Sequence, residues 1–174
     1  MILSWLERFV PDCRVSAFDD IDPVLLKNQG FKGIIADLDN TLVAAETGMA
    51  TPELVQWLER LKKDGFQVII VSNNCRRRVA QVAGELNIPY ISRARKPARR
   101  AFRQALGQLR LKPDETVMVG DQLLTDIYGG NRLGLYTILV KPISPAEKWS
   151  TRMNRWLEKW IVLLLKKQGR YPKL

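Results

Sequence analysis

The stretch Gly33-Ile34-Ile35-Ala36-Asp37-Leu38-Asp39-Asn40-Thr41 decides how the rest of the chain is read. A short apolar run, Gly33–Leu38, passes directly into a polar loop. Continuous rather than alternating apolar residues mark a strand covered on both faces, the habit of parallel sheets. Along an extended chain the period of two puts Asp37 and Asp39 on the same side. Two carboxylates that close repel each other unless a cation or a shared proton separates them. A hard, oxygen-seeking ion such as Mg2+ meets that need, keeping waters and taking one or two carboxylates plus a substrate phosphate. The same residues would also suit a helix cap or a turn rich in Asp and Asn.

Outward from this stretch the chain alternates regularly. Pro52–Lys63 reads as a helix: Thr51 can cap it, Pro52 suits its first turn, and Leu54, Val55, Leu58 and Leu61 share a face. Phe66–Val71 reads as a strand, Arg76–Leu86 as a helix, Ile88–Ile91 as a strand and Pro97–Leu109 as a helix. Thr116–Val119, Leu123–Leu133 and Tyr136–Val140 continue the series as strand, helix and strand. Apolar strands alternating with helices predict an α/β fold, a Rossmann-like parallel sheet of about five strands flanked by helices. Ligands of such sheets sit at the carboxyl ends of the strands.

Chemistry-bearing residues fall at those ends. Ser72-Asn73-Asn74 follows the second strand, where a hydroxyl and the first amides of the next helix make an anion site; plain capping of that helix is the alternative. Lys96 precedes Pro97 and offers a point charge able to hold a phosphate, or a solvated surface lysine. Gly120-Asp121-Gln122-Leu123-Leu124-Thr125-Asp126 follows the fourth strand. Asp121 stands where a metal ligand would be placed, and Asp126 could orient Lys96 or a metal-bound water. The common placement, more than any single residue, points to phosphate chemistry.

These motifs, DLDNT at Asp37–Thr41, VSN at Val71–Asn73, Lys96 and GDQLLTD at Gly120–Asp126, resemble those of the haloacid-dehalogenase superfamily of phosphatases. The resemblance covers roughly residues 30–142. It implies that Asp37 is a nucleophile forming an aspartyl-phosphate and that Asp39 is first general acid, then general base. It further implies Mg2+ held by the side chains of Asp37 and Asp121 and the main-chain carbonyl of Asp39. Ser72, Asn73 and Lys96 would bind the transferring phosphoryl group, with Thr41 and Asp126 in support. Many members carry a cap domain; here Leu42–Ala50 and Ser92–Arg95 are too short to hold one. An uncapped site is open and suits a bulky or surface-presented substrate. The uncapped fold, the lead-in Pro11-Asp12 and Asp19-Asp20-Ile21-Asp22, and the DLDNTLV and VSNN stretches resemble the phosphatidylglycerophosphate phosphatase branch. That branch removes the terminal phosphate of phosphatidylglycerol phosphate.

Composition narrows the chemistry. The 174 residues contain no histidine, which removes Ser-His-Asp and Cys-His catalysis and histidine metal sites. Two cysteines, Cys13 and Cys75, make neither a disulfide framework nor a zinc site. The longest late apolar run, Trp160–Leu165, is far short of the roughly 20 residues that span a bilayer. The first ten residues lack the marks of a secretory signal. A cytoplasmic location, or the cytosolic face of a membrane, is the expectation. The net charge is +10. Arg76, Arg77 and Arg78, and the acid-free stretch 93–110, put basic side chains at the mouth of the predicted site, where they attract an anionic phosphate substrate or only solvate a face.

Residues 148–174 hold eight basic side chains and one acid, Glu158. Trp149, Met153, Trp156, Trp160, Leu163 and Leu164 recur there at helical spacing. Such a basic amphipathic helix reads as a membrane-surface element, with packing on the domain or a second subunit as the alternative; Met1–Val10 could join either. The chain is therefore divided into a phosphatase domain, 1–145, and a basic amphipathic tail, 146–174. The lipid substrate accounts for open site, basic rim and tail together. A soluble phosphatase of nucleotides, sugars or phosphoproteins is the alternative; a nucleic-acid-associated protein is permitted by charge and five tryptophans but shows no recognised motif.

Overall fold

The computed structural model describes residues 5–144 and 149–172. Expectations placed on Met1 and Ile2, on the 145/146 boundary, on Lys148 and Lys173, and on the side chains of Trp149 and Arg152 lie outside the described residues.

Apolar runs form the strands, as their continuity predicts. They are β2 (Gly33–Ala36), β3 (Gln67–Val71), β4 (Tyr90–Ile91), β5 (Thr116–Gly120) and β6 (Tyr136–Val140). A short edge strand, β1 (Cys13–Val15), adds to the five expected. All pairings are parallel, in the order β1-β6-β5-β2-β3-β4. The chain leaves β2 for β3 and β4 on one side, then returns to place β5 and β6 on the other. The carboxyl end of β2 is thus the switch point of the sheet, where a crevice forms.

Both faces are covered. Ile34 and Ala36 point into a core built with Leu54, Trp57 and Leu61 of α2 (Pro52–Lys63) and Val79, Val82 and Ala83 of α3 (Arg76–Glu85). Ile35 points the other way, to Ala101, Phe102, Ala105 and Leu109 of α4 (Arg99–Leu109). The period of two thus survives inside an unbroken apolar run. In α2, Thr51 caps as expected, its hydroxyl accepting from the Leu54 amide at 3.3 Å. The buried face runs through Trp57, however, and leaves Val55 exposed. The Trp57 indole N–H donates to the Ile21 carbonyl at 3.1 Å, which satisfies the one polar group that this fully buried ring brings inside.

Two helical expectations shift. The helix expected from Pro97 begins at Arg99, after a loop with left-handed Arg93 and Arg95. The helix expected over Leu123–Leu133 is instead a wide π turn, Leu123–Ile127, followed by a short α5 (Tyr128–Asn131). Near the N-terminus, α1 (Pro23–Asn28) is capped by Asp22, whose carboxylate accepts from the Val24 amide at 2.8 Å.

The basic tail forms α6 (Trp149–Lys167), which packs on the domain along one side. Ile161 and Leu165 meet Leu6 and Phe9, with Leu124, Tyr128 and Tyr171 around them. Val162 and Tyr171 reach Leu123, Ile127 and Leu139. The opposite side exposes Met153, Trp156, Leu157, Trp160, Leu163 and Leu164. None of the described helices is long and apolar enough to cross a membrane.

Candidate active site

Asp37 is the first residue past β2, and its amide donates to the Val119 carbonyl of β5 at 2.9 Å. The carboxylate is therefore fixed at the switch point by the sheet's own ladder. One oxygen accepts from Lys96 Nζ at 2.6 Å. Lys96 also pairs with Asp126 at 2.7 Å, and both cation and acids are buried. Carboxylate oxygens of Asp37, Asp121 and Asp126 lie within 4.8 Å of one another. Asp126, expected as an accessory, is thus a full member of the acid cluster and orients Lys96 as well. Gly120 makes this possible: a Cβ there would run into the Asp126 side chain. The π turn carries Asp126 back over the end of β5, where the Gln122 amide donates to it at 3.2 Å.

Thr41 Oγ1 lies 3.0 Å from Asp121 and 3.4 Å from Asp37. Its single proton serves one of them at a time, and the shorter contact favours Asp121. Left-handed Asn40 turns the chain so that Thr41 comes back over the acids.

Asp39 departs from expectation. The strand ends at Ala36, so strict alternation stops before Asp39, and its carboxylate does not join the cluster. Arg78 donates to one oxygen through Nε (3.2 Å) and Nη2 (2.9 Å), and Asn74 Nδ2 donates to the other at 2.8 Å. Arg78 Nη2 also reaches the carbonyls of Ala44 and Ala45, and Gly48 leaves the space its guanidinium fills. Arg78, read in sequence as part of a basic rim, is an internal brace. Arg76, Arg77, Arg93, Arg95, Arg100 and Arg103 are exposed.

Asn73 is placed differently too. Its Oδ1 accepts from the Lys96 amide at 2.6 Å and its Nδ2 donates to the Lys96 carbonyl at 3.2 Å. A carboxamide matches a peptide unit in this two-point pairing, so Asn73 clamps the Lys96 backbone. Ser72 is buried at the end of β3, and its Oγ accepts from the Asn74 amide at 3.1 Å.

Sequence reasoning missed Arg155 of α6. Its guanidinium donates to the Asp121 carboxylate and to the Asp121 carbonyl. Glu158 accepts from Arg155 at 3.1 Å and from the Leu124 amide at 3.0 Å, which seats the helix against the π turn. Glu158 as the lone acid of a basic segment was the available signal, since an isolated acid beside an arginine at helical spacing suggests a specific pair.

Three buried acids face two cations, so negative charge is in excess. Burial pushes the Asp37 carboxyl up to about 8; Asp126 and Asp121 add to the rise and Lys96 opposes it. Burial also pushes Asp121 up to about 6, against the pull of Arg155. Burial alone would lower the Lys96 ammonium, but Asp126 and Asp37 outweigh it and hold the lysine charged. A centre of hard carboxylate oxygens that retains a proton for want of positive charge fits a divalent cation, which oxygens of Asp37, Asp121 and Asp126 could hold.

The doubly wound parallel sheet, with a lysine-braced carboxylate centre at its switch point, is a Rossmann-like α/β fold. The chain belongs, more narrowly, to the haloacid dehalogenase-like hydrolase family, whose model matches residues 4–134. It is a phosphatase of that family. The probable phosphatase YqeG of Bacillus subtilis is 47% identical over 92% of this chain and 94% of its own length. Phosphatidylglycerophosphate phosphatase 1 (chloroplastic/mitochondrial) of Arabidopsis thaliana is 32% identical over 94% of this chain, which spans half the length of that relative. A crystal structure of an uncharacterised Listeria monocytogenes protein shares the fold at a TM-score of 0.54 and 21% identity, covering 79% of this chain and 99% of its own.

Proposed function

We propose that the protein hydrolyses phosphatidylglycerol phosphate to phosphatidylglycerol by way of an aspartyl-phosphate on Asp37. The observation that carries the mechanism is the fixed Asp37 carboxylate, held at the switch point with Lys96 at 2.6 Å. Asp37 attacks phosphorus; Asp39 gives a proton to the departing alcohol oxygen, then takes one from the water that releases phosphate. Lys96 and Ser72 hold phosphoryl oxygens, and Asn73 sets the Lys96 backbone for that task. Asp39 rests paired with Arg78 and Asn74, away from the acid cluster; it leaves that pair and takes up a proton from solvent before it gives one to the alcohol. Mg2+, held by Asp37, Asp121 and the Asp39 carbonyl, would supply charge neutralisation for the transferring group.

The lipid assignment is supported by the Arabidopsis relative and by α6. That helix exposes Trp156 and Trp160 at 61% and 56%, with exposed Lys159, Lys166 and Lys167 around them. Tryptophans flanked by lysines suit an anionic bilayer surface, each nearby basic residue adding about 1 kcal/mol. In this reading residues 5–144 carry the chemistry and α6 carries the membrane face.

The test is phosphate release with Mg2+, from phosphatidylglycerol phosphate in mixed micelles and from soluble sugar, nucleotide and peptide phosphates, beside Asp37→Asn. Preference for the lipid with no turnover by the variant is expected. Preference for a soluble ester would keep the mechanism and remove the lipid; turnover by Asp37→Asn would remove the nucleophile.

A further inference from the structure

The pairing of Asp39 with Arg78 and Asn74 has the form of an anion socket filled from within. Arg78 Nε and Nη2 donate to one carboxylate oxygen at 3.2 and 2.9 Å, and Asn74 Nδ2 donates to the other at 2.8 Å. These donors are held by contacts that Asp39 does not supply. Arg78 Nη2 also donates to the Ala44 and Ala45 carbonyls, and the guanidinium fills the space beside Gly48, where a Cβ would collide with it. The Asn74 side-chain oxygen accepts from the Cys75 amide at 2.8 Å, and its main chain bonds to Ser72 Oγ at 3.1 Å and to the Arg93 amide at 2.9 Å. When Asp39 leaves to act as the acid, the socket therefore stays. Cationic donors left without their anion cost free energy, so the departure of Asp39 is opposed unless another anion takes its place. Both side chains of the ion pair are partly exposed. Arg76 and Arg77 are exposed at the start of α3, with no acid in that turn, and add positive charge on the same side.

The departing alcohol must approach Asp39, because Asp39 gives it a proton. We infer that Arg78 and Asn74 form a specificity site for a second anionic phosphate on that alcohol, a short polyol away from the scissile ester, and that this anion displaces the Asp39 carboxylate. A phosphate offers a guanidinium the same two-oxygen fork as a carboxylate. Arg78 ends the exchange with one anion, as it began, and Asp39 is released beside the departing oxygen. Binding energy from a remote part of the substrate is thus spent on freeing the acid. An alcohol without a second anion offers Arg78 nothing in exchange, and Asp39 stays latched for more of the time. The proton that Asp39 takes from solvent passes to the alcohol oxygen as its bond to phosphorus breaks. The proton later taken from water is lost to solvent when Asp39 returns to Arg78. The phosphodiester of a lipid headgroup and a second monoester on a soluble polyol share this chemistry. The inference rests on Asp39 as acid and base, as proposed above, and concerns which alcohols set it free.

The experiment compares kcat/KM with Mg2+ for three esters: glycerol 1-phosphate, which has no second anion, glycerol 1,3-bisphosphate, and dioctanoyl phosphatidylglycerol phosphate below its micelle concentration. The native chain should prefer the esters with a second anion. That preference should fall about tenfold or more in Arg78→Met, the worth of a charge-assisted fork, and severalfold in Arg78→Lys, which keeps the charge and loses the fork. Should the methionine variant fail to fold, the lysine variant carries the comparison. An equal loss on all three esters, with the preference unchanged, overturns the socket and leaves Arg78 a structural brace. Calorimetry with glycerophosphoglycerol, a diester with no scissile phosphate, tests the exchange without turnover. Asp39→Ala empties the socket and should bind this probe about tenfold more tightly than the native chain, a gain lost in Asp39→Ala/Arg78→Met. Equal binding by the native chain and Asp39→Ala overturns the exchange. Native turnover by Asp39→Ala removes the acid and the inference with it. An Arg78-dependent preference for the bisphosphate, in a protein that does not cleave the lipid ester, retains the socket and removes the lipid reading instead.

Discussion

Raising the pH from 6 to 8 is expected to strengthen Mg2+ binding by about 100-fold. The reason lies in the protons that the acid cluster keeps for want of positive charge. With Asp37 pushed up to about 8 and Asp121 up to about 6, the two carboxyls together hold about 1.5 protons at pH 6, about one at pH 7 and about half of one at pH 8. A cation that binds both carboxylates displaces those protons, so log affinity rises with pH by the number displaced. Integrated over the two units this is about two decades in affinity. Calorimetry of the metal-free protein checks it, run at several pH values in buffers of different ionisation enthalpy so that proton release is counted directly. Asp37→Asn should confine the dependence to pH below about 6.5, where Asp121 alone titrates. An affinity flat between pH 6 and 8, with no proton released, would refute the reasoning. It would mean that Lys96 keeps Asp37 ionised against its burial without help from a metal.

The same proton has a sign in stability. Asp37 and, at lower pH, Asp121 bind protons more tightly folded than unfolded, so the metal-free protein should lose stability as pH rises from about 4 to 8, and saturating Mg2+ should flatten the melting-temperature profile. Lys96→Met leaves Asp37 and Asp126 buried without their cation; a loss of about 3–5 kcal/mol, about 10 °C in Tm, is expected by thermal melting, together with loss of turnover. Gly120→Ala drives a methyl group into Asp126 and should lower kcat on p-nitrophenyl phosphate at least tenfold while the far-ultraviolet circular dichroism stays native. Trp156→Ala/Trp160→Ala removes two exposed rings; binding to vesicles containing anionic lipid should fall severalfold in a sedimentation assay with Tm within about 1 °C of the native chain.

Much of this molecule is legible in local pattern. The strands β2, β3, β5 and β6 lie within runs whose apolar continuity admits little but a covered parallel sheet. Thr51-Pro52 marks the start of α2 because capping is a contact between near neighbours, whose hydroxyl and amide lie three residues apart. Asp37, Ser72, Lys96 and Asp121 are found by the same logic, since each sits at or just past the end of a readable strand. Sequence composition, through the lack of histidine, further restricted the chemistry to carboxylates, hydroxyls and fixed cations.

What pattern could not decide were contacts between residues far apart in the chain. Asp39 follows Asp37 by two positions and looked like its neighbour, but β2 stops at Ala36, and Arg78, 39 positions away, holds the Asp39 carboxylate elsewhere. Asp126 enters the cluster only because a π turn, with no periodic signature of its own, folds it back over Gly120. The three residues of β1 are too few and too mixed to read as a strand; they pair because β6 offers an open edge. Arg155 reaches Asp121 across 34 positions, and in sequence it is one of eight similar basic residues in the tail. Periodicity and capping act over a few residues, so the sequence by itself determined the sheet and the order of its motifs. Which charges meet depends on where separate elements lie in space, and that was decided by tertiary packing alone.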